Sequence, residues 1–130
     1  MPKERLRNDP RWLAAAAIAE FFSVAAGAAT AHVTAGDAHG AELLRTGAFY
    51  GMIHAVALVA VAAIAEHHDR PRPLLIMAAW SFVIGIFLFS FSLFALALTR
   101  IPRLAQLTPF GGVSLLLGWA ALGGAVIRRR

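Results

Sequence analysis

The sequence predicts an all-α integral membrane protein, a single domain in which four transmembrane helices form an antiparallel bundle. Three observations lead there. The chain has 130 residues, of which 59% are hydrophobic and only 15% charged, with a mean hydropathy of +0.69. A soluble domain is nearer about 45–50% apolar and about 25% charged, and so small a domain leaves too much surface exposed to hide the excess in a core. The apolar residues gather into four runs of about 20 residues, the length that crosses a hydrocarbon layer. The Lys and Arg residues sit at the ends of those runs and in the connections. That distribution reads the net charge of +5 as a membrane pattern and excludes a basic nucleic-acid groove. The chain has no Cys, which excludes disulfides, thiolate metal sites and a Cys nucleophile.

The first span covers about residues 12–32, entered through Asp9 as N-cap and Pro10 at the first helical position. A signal-peptide reading of this region, with "ATA" before His32 as the cleavage site, is opposed by Glu20 in the middle of the apolar run. The connection "AGDAHGAELLRTG" predicts a short interfacial helix around Leu43 and Leu44. The second span covers about 47–65. "RPRPLL" then turns the chain into the third, about 74–99, which is the longest and must tilt or project; Arg100 and Pro102 end it. Thr108 as N-cap and Pro109 start the fourth, about 109–127.

Lys3, Arg5, Arg7, Arg11, Arg70, Arg72, Arg128, Arg129 and Arg130 fall on one side, against Arg45, Arg100 and Arg103 on the other. The positive-inside rule therefore puts both termini in the cytoplasm.

Each span carries a stripe of small or weakly polar residues for its neighbours, because lipid gives no hydrophobic reward for helix association. The stripes are Ala16, Glu20, Ser23, Gly27 and Thr30; Gly47, Gly51 and His54; Ser81, Gly85, Leu88, Ser92, Ala95 and Thr99; and Gly111, Ser114, Gly118, Ala121 and Ala125. Phe87, Phe91 and Phe94 are expected to face lipid. "GAFYG" matches the GxxxG dimerisation pattern, which is common in membrane helices.

"AGAATAH", "HAVALV", "LFSFSLFALALT" and above all "LTPFGGVSLLLGW", in this order and spacing, resemble the small bacterial membrane family catalogued as domain of unknown function 423. The resemblance runs from about Gly27 to Leu122. It implies a fold and a membrane location, and it marks Gly27, His32, His54, Ser90, Ser92, Thr108, Pro109, Gly111, Gly112, Gly118 and Trp119 as recurrent positions. This chain departs from the family pattern in "GAATAH", in Phe91 between the two serines, and in Glu20, so a family role does not carry over to Glu20.

Glu20 is the residue with most chemical potential, since a carboxylate in the bilayer must be protonated, paired or hydrated. "AIAEFFSVAAG" also resembles the first helix of the small multidrug resistance transporters, whose Glu exchanges protons for cationic drugs; their aromatic third-span motif has no counterpart here. By helical rise, Glu20, His54, Ser81 and Ser114 lie roughly 11–20 Å above the cytoplasmic ends of their spans. They are expected to form one polar layer, with Glu20 bonded to Ser81 or His54 directly or through water. His54 is read as an interhelical hydrogen-bonding residue and, with His32, as a haem pair in the rival reading. "EHHD" at Glu66–Asp69 and the group Asp37, His39 and Glu42 are read as solvated loops. Ser90 and Ser92 have no visible base beside them and are expected to bond across helices or to their own carbonyls.

Catalytic and metal sites are expected to be none, and no cofactor and no nucleic acid are expected. The partners expected are the lipid bilayer and either a larger membrane complex or further copies of the chain. Three functions remain: an uncharacterised, non-enzymatic accessory or structural subunit of the bacterial inner membrane; a small proton-coupled transporter or exchanger using Glu20; and a haem- or quinone-associated redox component using His32 and His54. The sequence names no substrate, partner or oligomeric state.

Topology is checked by cysteines placed one at a time as Ser23→Cys, Asp37→Cys, Asp69→Cys and Arg103→Cys, probed with an impermeant thiol reagent on cells whose outer barrier is opened. Labelling is expected at 37 and 103 only; labelling at 69 but not 37 inverts the orientation.

Overall fold

Prolines and polar caps set the helix boundaries. The computed structural model describes residues 10–68 and 72–128. Asp9, Asp69 and the basic residues Lys3, Arg5, Arg7, Arg70, Arg129 and Arg130 lie outside the described residues. Helix α1 is Pro10–Val33, α2 Ala38–Glu66, α3 Pro73–Thr99, and α4 Thr108–Ile127 after a 3-10 turn, Pro102–Gln106. All four spans are long and apolar enough to cross a membrane. Pro73 opens α3 behind Arg72, and Pro109 lies in the first turn of α4, where a missing N–H removes nothing the helix would use. Arg100 ends α3 in the left-handed conformation, φ 57°.

Two boundary expectations are corrected. "AGDAHGAELLRTG" forms no separate interfacial helix; from Ala38 onward it is the beginning of α2. Asp37 caps that helix, accepting from the Gly40 N–H at 2.9 Å, and Leu44 is already buried. Ala, Glu, Leu and Arg favour helix and nothing between Ala38 and Gly47 breaks it. At 29 residues α2 is about 43 Å long, so its first turns project beyond the hydrocarbon. Thr108 does not cap α4; it is the first helical residue, and its Oγ1 meets Ser92 Oγ at 2.9 Å.

Successive helices pack side by side: α1 on α2, α2 on α3, α3 on α4. α2 also reaches α4 through the His54–Trp119 bond; α2 and α3 lie at the centre, with α1 flanking α2 and α4 flanking α3. Burial follows the same order. The apolar windows of α2 and α3 are each 44% buried, those of α1 and α4 only 22% and 28%. One core cluster centres on Leu58, Phe82, Ile86 and Leu115, and a smaller one joins Leu44, Ala48, Phe94 and Ala97.

The expected seam of α3 holds through Gly85 and again at Ser92, which bonds Thr108, but breaks at Leu88, Ala95 and Thr99. Phe87–Phe91 is a π-helical turn. A π turn holds one residue more than an α turn, so the following side chains face elsewhere. Beyond it the buried residues are Ser90, Ser92, Leu93, Phe94 and Ala97, while Leu88 and Ala95 are half-buried and Thr99 is exposed. Phe87 faces outward as expected, 66% exposed, but Phe94 does not: it is buried over Gly47, where a Cβ would stand 2.7 Å from its ring. Phe91 is half-buried and touches Phe22 of α1.

The glycines of the seams mark close approach. A Cβ on Gly118 would meet the Phe82 ring at 2.6 Å, one on Gly85 would overlap Leu115, and one on Gly111 would overlap the backbone of Leu88 and Phe89. Gly123 has open space around it.

Gly111→Ala is therefore expected to lower the melting temperature in detergent, since backbone cannot step aside. Gly85→Leu and Gly118→Leu should destabilise by about 1–3 kcal/mol or more through overpacking, whereas Gly123→Ala should be neutral or stabilising by up to about 1 kcal/mol. Equal melts for all four variants would refute this account of the interfaces.

Candidate functional site

The polar side chains within the spans are placed by the turns just described. His54 is 5% exposed on the face of α2 toward α4. Its Nδ1 lies 2.7 Å from the Tyr50 carbonyl oxygen and its Nε2 3.0 Å from Trp119 Nε1. A carbonyl only accepts and an indole N–H only donates. The ring is therefore the neutral tautomer with hydrogen on Nδ1, donating to Tyr50 and accepting from Trp119. Phe82 of α3 packs against both rings, at 5.7 Å and 5.3 Å between centroids. One imidazole thus fastens α2 to α4 across α3.

Two further contacts join α3 to α4. Ser114 Oγ donates to the Ser81 carbonyl oxygen at 2.8 Å. Ser92 Oγ donates to Phe89 O at 2.9 Å and accepts from Thr108 Oγ1. Gly112 lies in ordinary contact with Phe89, and Gly27 of α1 faces Ala48 of α2 at 3.5 Å from its ideal Cβ. Pro109 is exposed at the mouth of α4.

The structure does not assemble the expected four-residue layer. Ser81 and Ser114 meet, through the Ser81 carbonyl. His54 turns to Tyr50 and Trp119, and Glu20 bonds to neither His54 nor Ser81. The reasons are geometric: both His54 nitrogens are engaged, and α1 packs on α2 with little contact to α3. Glu20 is half-buried, with Oε2 enclosed and unpartnered. Ser90 is also corrected: its hydroxyl is fully buried and bonds neither across helices nor to its own backbone. Trp119 as the partner of His54 was not found by reasoning from the residues. The available signal was an indole N–H placed mid-span, which needs an acceptor.

The histidines do not fit an axial haem pair, because His54 has no free nitrogen and His32 is exposed at the far end of α1. His67 and His68 turn back to the Ala63 and Ile64 carbonyl oxygens at 2.8 Å each, closing the C-terminus of α2. Asp37 caps α2 and pairs with Arg100 at 3.1 Å, tying the first connection to the end of α3; His39 and Glu42 are exposed. Among the described residues no three His, Asp or Glu side chains gather around one point in metal-binding fashion.

Comparison with known proteins places these residues in context. The pattern of the family described as "Protein of unknown function (DUF423)" matches residues 26–112. The chain is 38% identical over 114 residues to a UPF0382 membrane protein of Haemophilus influenzae, covering 86% of this chain and 90% of that one. It is 38% identical over 118 residues to the UPF0382 inner membrane protein YgdD of Escherichia coli, covering 87% and 86%. It is 34% identical over 87 residues to the UPF0382 membrane protein YwdK of Bacillus subtilis, covering 67% and 70%. No solved structure matches.

Trp119→Phe keeps the ring and removes the donor to His54. It is expected to cost about 1–2 kcal/mol in unfolding from mild detergent. A double-mutant cycle with His54→Leu should give a coupling of about 0.6–1.7 kcal/mol. Strict additivity of the two substitutions would show that the bond contributes nothing.

Proposed function

This chain belongs to the DUF423 family, and from that membership and the geometry of its spans we infer that it is a non-enzymatic accessory or structural subunit of the bacterial inner membrane, with both termini in the cytoplasm. One observation carries the reading. Apart from Ser90, the interhelical polar side chains of α2, α3 and α4 are spent on one another, in the His54–Trp119, Ser114–Ser81 and Ser92–Thr108 contacts, and are not arranged around a polar passage. Large apolar side chains line the outside of the two flanking helices, among them Ile18 and Phe21 on α1 and Phe110 and Leu116 on α4. Such faces suit lipid and the helices of a larger complex or of further copies.

A second reading, a proton-coupled exchanger using Glu20, draws on the enclosed Oε2 that lacks a partner. Two measurements separate the readings. Cross-linking in native membranes followed by isolation of the full chain is expected to yield a stoichiometric partner or oligomer. Addition of tetraphenylphosphonium to the purified protein is expected to release no protons. A lone monomer that releases protons in the wild type but not in Glu20→Gln would replace the subunit reading with the exchanger.

A further inference from the structure

Among the described residues, three enclosed side-chain oxygens have no hydrogen-bond partner: Glu20 Oε2, Ser23 Oγ and Ser90 Oγ. The other buried polar side chains, Thr30, Thr34, His54 and Ser92, are all bonded. The three exceptions are neighbours in the fold. Glu20 and Ser23 are three residues apart on α1, which puts their Cβ atoms about 5–6 Å apart. Ser23 and Ser90 meet over Gly51 of α2: a Cβ there would overlap Ser23 Oγ and stand 3.2 Å from Ser90 Oγ. Ser23 is 1% exposed and Ser90 0%.

A second feature falls at the same place. Ser90 belongs to the π turn Phe87–Phe91, an irregularity that needs compensation inside a membrane and recurs at functional sites. An apolar groove of about 220 Å3 between α1 and α3, walled by Ala19, Leu58, Ile86, Phe87 and Phe91, opens beside it. Ala19 adjoins Glu20, and Phe91 adjoins Ser90. The walls of the groove offer no hydrogen bond to compete with the three oxygens.

We propose that Ser23, Ser90 and Glu20 bound a buried water site, over Gly51 and against the π turn of α3, that holds water within the hydrocarbon span. Water suits this set because it both donates and accepts and takes about two to four polar partners. Two hydroxyls and one carboxyl oxygen supply that number. The three make no bond with one another in the structure, and a bridging water can serve several such groups at once. Gly51 is the opening that makes this possible: any side chain there would fill the place where the hydroxyls converge. The site stands whether the chain serves as a subunit or as an exchanger.

The test is water-edited solid-state NMR of the full, isotope-labelled chain in lipid bilayers. Magnetisation from water should reach Gly51 Cα and Ser90 Cβ at least roughly threefold faster than Leu58, which is buried in the apolar core. In Ser23→Ala/Ser90→Ala the Gly51 signal should slow to the Leu58 rate while the Leu58 shifts stay in place; Glu20→Gln, which keeps a hydrogen-bonding group, should retain fast transfer. Transfer to Gly51 as slow as to Leu58 in the wild type overturns the proposal, and that measurement needs no variant to fold. A Ser90 shift that depends on sodium against N-methylglucamine, at equal ionic strength, also overturns it in favour of a cation site.

Discussion

Helices in lipid gain no free energy from hiding apolar surface from one another, so this fold depends on how closely their backbones can approach. Gly111 of α4 lies on the backbone of Leu88 and Phe89, Gly118 lies under the Phe82 ring, and Gly85 of α3 lies under Leu115. These contacts align α3 and α4 over most of their length. On the other side of the core, Gly47 and Gly51 of α2 accept Phe94, Ser23 and Ser90. "GAFYG" is thus used within the chain, as the floor on which α1 and the π turn of α3 both rest.

Close approach then determines which polar groups can pair. His54 and Trp119 meet against the Phe82 ring, which itself rests on Gly118. Ser114 reaches a backbone carbonyl of α3, a bond that only two helices in near contact can make. Each bond replaces water that the bilayer does not supply. The exceptions lie at the junction of α1 with α2 and the π turn, where three oxygens are left over.

The division of labour among the helices follows. α2, α3 and α4 are joined by the interhelical bonds described above, and α1 packs along α2 through small side chains such as Ala16 and Ala19.

Four spans, their rough limits and their small-residue faces were legible in the sequence because hydropathy, proline placement and residue size are local properties. The same local logic identified Gly47, Gly51, Gly85, Gly111 and Gly118 as contact residues and His54 as an interhelical bonding group. It could not show the π turn, since "FLFSF" has no local mark of an inserted residue; the turn arises where the seam of α3 must fit Gly111 on one side and Gly47 and Gly51 on the other. With that register slip went the burial of Phe94 and the inward turn of Ser90. Nor could counting helical rise reveal the partners of Glu20 and His54, because height along a helix says nothing about which helices are neighbours. Composition and periodicity determined that the chain is a four-span membrane protein; only the lateral order of the helices decided that His54 pairs with Trp119 and that Ser23 of α1 meets Ser90 of α3 over Gly51.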